Sequence, residues 1–287
     1  MKPHRPSSTA KVIAASTILL EAEGDPRVAP GAAELCELFL STTASDRVLA
    51  LCARKRPGRW FLRLLERMTL PGIAAHYWRR KRRIERHCHE AIAEGFQRVL
   101  ILGAGFDTLG IRLAREFPQI EVAEWDHPAT QATKVLAIGR SKMAVPANFH
   151  FESSDLTESI RIPIDPDERR TICVMEGLLM YFTEDEVTEL LDGLSHHPAR
   201  ELRLVFTFLT KWPDGRSGFR PHSRIIDWWL RWRAEPFGWA IEPGRINEFI
   251  SPRGFRLLEL VLAEDLDSEL PPQSVIRGEN LVLCGRH

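Results

Sequence analysis

The sequence carries no net charge: 39 Lys and Arg balance 39 Asp and Glu over 287 residues. No global field therefore recruits nucleic acid or an anionic membrane, and neither is expected as a partner. No apolar run approaches the roughly 18 residues needed to span a bilayer. The N-terminal MKPHRPSSTAKVIAAS is basic but lacks the sustained apolar stretch of a secretory signal. Internal repeats and low-complexity tracts are missing as well. The cysteines, Cys36, Cys52, Cys88, Cys173 and Cys284, are scattered, odd in number and never spaced CxxC. That pattern fits reduced thiols in a cytoplasm, not a disulfide framework. The metal-like cluster HCHE, His87 to Glu90, places His87 and His89 two apart on an expected helix, where they point to different sides. No metal site is expected.

What is present is an ordinary soluble composition, 44% apolar and 27% charged, long enough for a large core. From about residue 95, short apolar runs alternate with amphipathic stretches: RVLILG (98–103), IEVAEW (120–125), NFHFES (148–153), TICVME (171–176) and ELRLVFTFL (201–209). Without strict alternation, such runs predict strands buried on both faces of a parallel sheet. Pro128 just after Asp126 and His127 suits a helix start. Thr183 with Glu186 reads as a capping box, and Gly193 as the end of that helix. Alternating strands and helices imply a doubly wound α/β sheet. The last runs, FRLLELVL (255–262) and NLVLCG (280–285), are joined by a segment without helical period, which favours an antiparallel final pair. The chain divides into a helical N-terminal cap (1–94), a core (95–209), a tryptophan-rich lid insert (210–253) and the last strands (254–287), all within one domain.

The segment VLILGAGFDTLG, residues 99–110, runs a strand into Gly103, Ala104 and Gly105. Glycines permit a tight turn and close approach of a ligand to the backbone, and the following helix start offers free N–H groups. A dinucleotide fingerprint wants a small residue where Thr108 stands, and Asp107 at the helix entrance would repel a pyrophosphate. A plain strand–helix turn is the bland alternative. Asp126 then closes the second run, where an acid accepts from ribose hydroxyls, or merely caps a helix. Asp155 and Leu156 follow the third, able to pair with an exocyclic amine and pack on a ring. Glu176 ends the fourth, where burial without a partner would be costly. Acids at successive carboxyl ends suit a sulfonium cation with an ammonium group and a ribose, not a chain of phosphates. The ligand these residues point to is S-adenosyl-L-methionine.

The stretches QRVLILGAGFDTLGIRLA, EWDHPATQATK, SSDL and MEGLLMYF together resemble the leucine carboxyl methyltransferase family. The likeness runs from PSSTA near the N-terminus to EPFGW and RGFRL, so it spans most of the chain. It implies a Rossmann-like class I methyltransferase fold and S-adenosyl-L-methionine-dependent O-methyl transfer. Gly103, Ala104 and Gly105 would line the methionine part, and Asp126 would hold the ribose. Asp155 and Leu156 would contact adenine, and Glu176 the amino group. In HYWRRKRRIE the resemblance assigns Arg80 to the methionine carboxylate, with Arg82 as second choice. The bland reading of the run Arg79–Arg83 is a solvated face. Trp125 departs from the family's smaller residue there and is expected to pack beneath the cofactor.

The acceptor would be a carboxylate or hydroxyl of a small molecule or peptide terminus. A carboxylate needs no base, whereas a hydroxyl does; His222 and Tyr181 lie in plausible regions, and no catalytic residue is assigned. Tyr181 and Trp232 are the expected substrate-proximal residues. Trp228 and Trp232, four apart, would share one helix face in a lid over the crevice, although an aromatic stripe is more often core. Rival readings are cofactor binding without transfer and an NAD-dependent oxidoreductase.

Overall fold

The computed structural model describes residues 6–141, 143–156, 168–233, 235–266 and 276–286. Five helices precede the sheet: α1 (Ser8–Ala22), α2 (Ala32–Phe39), α3 (Ala44–Arg54), α4 (Arg56–Thr69) and α5 (Ile73–Ala93). Then come β1 (Arg98–Leu102), α6 (Leu109–Glu116), β2 (Glu121–Asp126), α7 (Pro128–Ser141), β3 (Phe149–Ser153) and β4 (Thr171–Met175). The chain continues through α8 (Glu184–Ser195), β5 (Leu202–Thr210), α9 (Arg224–Arg233), β6 (Ala240–Ile241) and α10 (Ile246–Ile250) to β7 (Phe255–Val261) and β8 (Glu279–Arg286).

The sheet order is β3-β2-β1-β4-β5-β8-β7, with β6 pairing the end of β5. β1 runs parallel to β2 and β4, and β4 parallel to β5. β8 is antiparallel to both β5 and β7, which is the expected antiparallel final pair. The strand order reverses beside β1, so the crevice at the carboxyl ends of β1, β2 and β4 is where such a sheet binds ligands.

Apolar runs explain the middle of the sheet: every residue of β1 and of β4 is buried. NFHFES differs. β3 is the sheet's edge, so only Phe149 is fully buried and the remaining residues are half-buried or exposed. An edge strand has one neighbour to cover it, and alternation returns. Pro128 opens α7 as expected, and Thr183 and Glu186 form the reciprocal capping box of α8. Gly193 does not terminate that helix, which continues to Ser195. The core divides between the sheet's faces. One cluster joins α1, α2 and α5 to Val99, Ile101, Ile172 and Val174, and the other joins Leu100, Leu102, Cys173 and Phe206 to α8 and α10.

Candidate active site

Helix α5 lies across the carboxyl end of the sheet and delivers cations to it. His76 and Arg80 are one turn apart, so they share a face, with Tyr77 and Lys81 beside them. Arg80 donates to Glu176 through Nε at 2.9 Å and through a terminal nitrogen at 2.7 Å. Its other terminal nitrogen bonds to Glu279 at the start of β8. The second oxygen of Glu279 meets His76 Nε2 at 2.9 Å. Lys81 Nζ bridges Glu176 at 3.0 Å and Asp107 at 2.9 Å. A continuous chain of ion pairs, Glu279–Arg80–Glu176–Lys81–Asp107, extended by the His76–Glu279 hydrogen bond, therefore ties one helix to the ends of β1, β4 and β8. All of these groups are nearly dry. In such surroundings the pairs hold because every side-chain nitrogen of Arg80 and both oxygens of Glu176 and Glu279 find partners.

The glycine turn sits against this chain. Gly103 and Gly105 have φ of +68° and +53°, the left-handed region that favours glycine. A Cβ on Gly103 would come within 2.7 Å of the Leu178 side chain, so the turn also needs the space. The Asp126 carboxylate accepts from the backbone N–H of Gly105 and, at 2.6 Å, from that of His127. Lys134 Nζ donates to the carbonyl of Asp107 at 2.6 Å and pairs with buried Glu124. Asp126 and Lys134 thereby hold the turn from both sides.

Burial raises every one of these carboxyls, and the charges beside each decide where it ends. Desolvation lifts Asp126 from 3.8 to about 6, against the two backbone N–H bonds that favour its charge. Desolvation likewise lifts Glu124 to about 7 despite Lys134. Burial would also raise Asp107, but the Lys81 ammonium outweighs it and holds that carboxyl far below its usual range. Tyr181 and Tyr77 are pushed above the ordinary phenol range by burial.

A cavity of about 560 Å³ opens over these groups. Gly103, Ala104, Gly105, Arg80, Asp126, Glu176 and Tyr181 line it, together with Lys81, Asp107, Tyr77 and Glu279. Much of its remaining wall is apolar and comes from α1, α4, α5 and α9. Asp155 and Leu156 are not in the lining. Asp155 stands 3.5 Å from His127 Nε2, and Leu156 packs with Trp125 in the apolar cluster on the other side of the strand ends. Trp125 therefore lies in the core and not in the cavity wall. Trp228 and Trp229 line the cavity, whereas Trp232 points outward, 59% exposed, stacked 6.1 Å from Trp228. His222 pairs with Asp227 outside the lining. The HCHE residues diverge: His87 is buried 3.3 Å from Glu259, and His89 faces Glu116.

Of the two arginines named from the sequence, Arg80 lines the cavity, whereas Arg82 is exposed and pairs with Glu85. Arg79, Arg80 and Lys81 are all buried, so the basic run is not a solvated face. His76, Lys81 and Glu279 were missed. The signal for Glu279 was present, an acid abutting the apolar NLVLCG, just as Glu176 abuts TICVM.

The sheet order and the glycine turn over a crevice at the switch point define a class I, Rossmann-like ligand-binding fold. The family profile of leucine carboxyl methyltransferase matches residues 32–195, and the chain belongs to that family of S-adenosyl-L-methionine-dependent methyltransferases. Bacillus subtilis (strain 168) YktD, itself assigned by name only as an S-adenosyl-L-methionine-dependent methyltransferase, is 29% identical over 128 residues. That alignment spans 43% of this chain and 42% of YktD. A crystal structure from Thermobifida fusca YX, named as a methyltransferase, superposes with a TM-score of 0.57 at 18% identity. It covers 88% of this chain and 92% of its own, a likeness of fold.

Proposed function

We propose that this protein transfers a methyl group from S-adenosyl-L-methionine to an oxygen, preferentially a carboxylate, of an apolar small molecule or peptide terminus. One observation carries the reading: a single cavity joins a charged floor at the strand ends to a broad apolar wall. On that floor the carboxylates Asp107, Asp126, Glu176 and Glu279 outnumber the cations Arg80 and Lys81. The surplus negative charge fits a ligand bearing a sulfonium and an ammonium against one carboxylate. Gly177, with φ +61°, leaves room beside the Arg80 guanidinium, where a Cβ would lie 3.6 Å from it.

In this reading Arg80 grips the methionine carboxylate, Glu176 the ammonium and Asp126 the ribose hydroxyls. Asp155 and Leu156 meet the adenine beyond the cavity described above, next to His127. S-adenosyl-L-methionine supplies a methyl group already activated by its sulfonium. The chain's own task is to exclude water and hold the acceptor oxygen roughly 3 Å from the methyl carbon, in line with the bond that breaks. Among the described residues of the lining there is no histidine, and the Tyr181 phenol keeps its proton because burial raises it. A carboxylate acceptor, ionised on arrival, needs no base. Tyr181 then positions the acceptor by hydrogen bonding.

Calorimetry with S-adenosyl-L-methionine and its demethylated product should show binding to the purified chain. Labelled transfer should then favour apolar carboxylic acids over phenols and alcohols. Binding without transfer to any acid, phenol or peptide would instead favour a cofactor-binding protein; no binding would overturn the reading.

A further inference from the structure

Helix α4 is 14 residues long and has no buried residue. Its sequence, RPGRWFLRLLERMT, places Trp60, Phe61, Leu64, Leu65 and Met68 at helical spacing on one face. Among the described residues that face is uncovered: Trp60 is 69% and Met68 66% exposed. Val48 and Leu51 of the adjoining α3 extend it, both more than half exposed. Helix α9 repeats the pattern with Ile225, Trp228 and Trp232 exposed and only Leu230 buried. Leu65, Ile225 and Trp228 are at once exposed and part of the cavity wall, so the two helices form its rim. Contiguous apolar surface of this kind marks an interaction site.

The exposed charged residues of these two helices are all basic. Lys55, Arg56 and Arg67 flank the apolar face of α4, and Arg224 and Arg231 that of α9; all are exposed. The acids of the same helices are already engaged, Glu66 by Arg63 and Asp227 by His222. The zero net charge of the whole chain conceals this local excess.

We propose that the α4–α9 rim is a docking surface for an anionic lipid bilayer, with the apolar faces entering the headgroup boundary and the arginines meeting lipid anions. Amphipathic helices with basic flanks and tryptophan on the apolar side bind membrane surfaces in this way. A second copy of the chain fits less well. A twofold interface sets the same patch against itself, so arginines would oppose arginines. The mouth of the cavity lies within the docked face, which gives a lipophilic acceptor a route in that avoids water. That route rests on the methyl transfer proposed above; the docking itself stands on α4 and α9.

The test is flotation of the full chain with vesicles of phosphatidylglycerol and phosphatidylcholine, and with phosphatidylcholine alone. The protein should float with the anionic vesicles, weakly with the neutral ones, and be released by salt. Arg56→Glu/Arg67→Glu should weaken partitioning about thirtyfold or more, and Trp60→Ser/Met68→Ser by a comparable factor. Being exposed, these residues should leave the melting temperature unchanged. None lines the cavity, so calorimetric affinity for S-adenosyl-L-methionine should also stay put, which separates failure of docking from failure of the cofactor assignment. Three results would overturn the proposal: a wild-type monomer that ignores both vesicles, a dimer that the same variants split, or variants that float like wild type.

Discussion

The Thr9 hydroxyl donates to Glu235 at 2.6 Å, joining residues 226 positions apart. Glu235 also accepts from the backbone N–H groups of Ser8, at 2.9 Å, and Thr9, at 3.2 Å. A buried carboxylate from the segment after α9 thus caps the N-terminus of α1, where the helix dipole favours an anion. These are the PSSTA and EPFGW stretches of the family resemblance, far apart in sequence and meeting beside the cavity. Glu235→Ala removes these bonds together and should cost about 2–3 kcal/mol. Urea unfolding measures it, and an unchanged midpoint would show that the contact carries no stability.

Asp126 gives the protein a pH signature. Its carboxyl, raised to about 6 in the folded chain against 3.8 ordinarily, keeps its proton longer when folded than when unfolded. Stability contributed by this group is therefore present at low pH and is lost as pH rises from about 3.8 to about 6. Buried Glu124, raised to about 7, works in the same direction. Asp126→Asn should flatten the lower part of that decline. Ribose hydroxyls donate to the ionised form, so affinity for S-adenosyl-L-methionine should rise through the same pH window in wild type and not in the variant. A parallel rise in both would remove Asp126 from that role.

Glu176 holds two cations, Arg80 and Lys81. Glu176→Gln keeps the shape but leaves buried positive charge short of its partner, so unfolding stability should fall by about 3–5 kcal/mol while circular dichroism stays native. Cofactor affinity should drop by about 1.5–3 kcal/mol, the usual worth of a hydrogen bond to a charged group. Chelators should have no effect on either protein. Recovery of binding on adding a divalent ion would move Glu176 to a metal site.

The proposed acceptor wall can be probed at Trp229, which lines the cavity from α9. Trp229→Ala should lower methyl transfer at least tenfold, about 1.4 kcal/mol or more from lost apolar contact with the acceptor, and change cofactor affinity little. Trp232→Ala, altering an outward ring, should do much less to transfer. Both activities are read on one preparation of each variant. Equal losses of transfer in the two would mean that orientation toward the cavity does not matter, and the wall assignment would fall.

The sequence by itself determined the elements whose causes are local. Apolar runs became the central strands, Thr183 and Glu186 capped α8, and glycines at 103 and 105 made the turn that only positive φ allows. It also put Asp126 and Glu176 at strand ends, because the carboxyl end of a parallel strand is legible as the place where an apolar run meets an acid. Tertiary structure decided everything that depends on which face of a helix meets which strand. Spacing makes Trp228 and Trp232 neighbours, and they stack; it does not say that Trp228 and Trp229 line the cavity while Trp232 does not. The basic run Arg79–Arg83 reads as uniform charge, yet the packing of α5 over the strand ends buries Arg80 and Lys81 among carboxylates and leaves Arg82 in water. Partners such as Arg80 and Glu279, 199 residues apart, share no local pattern. Only the closing of β8 onto β5 brings that acid beneath the helix, and the cost of burying either charge alone is what makes the pair obligatory.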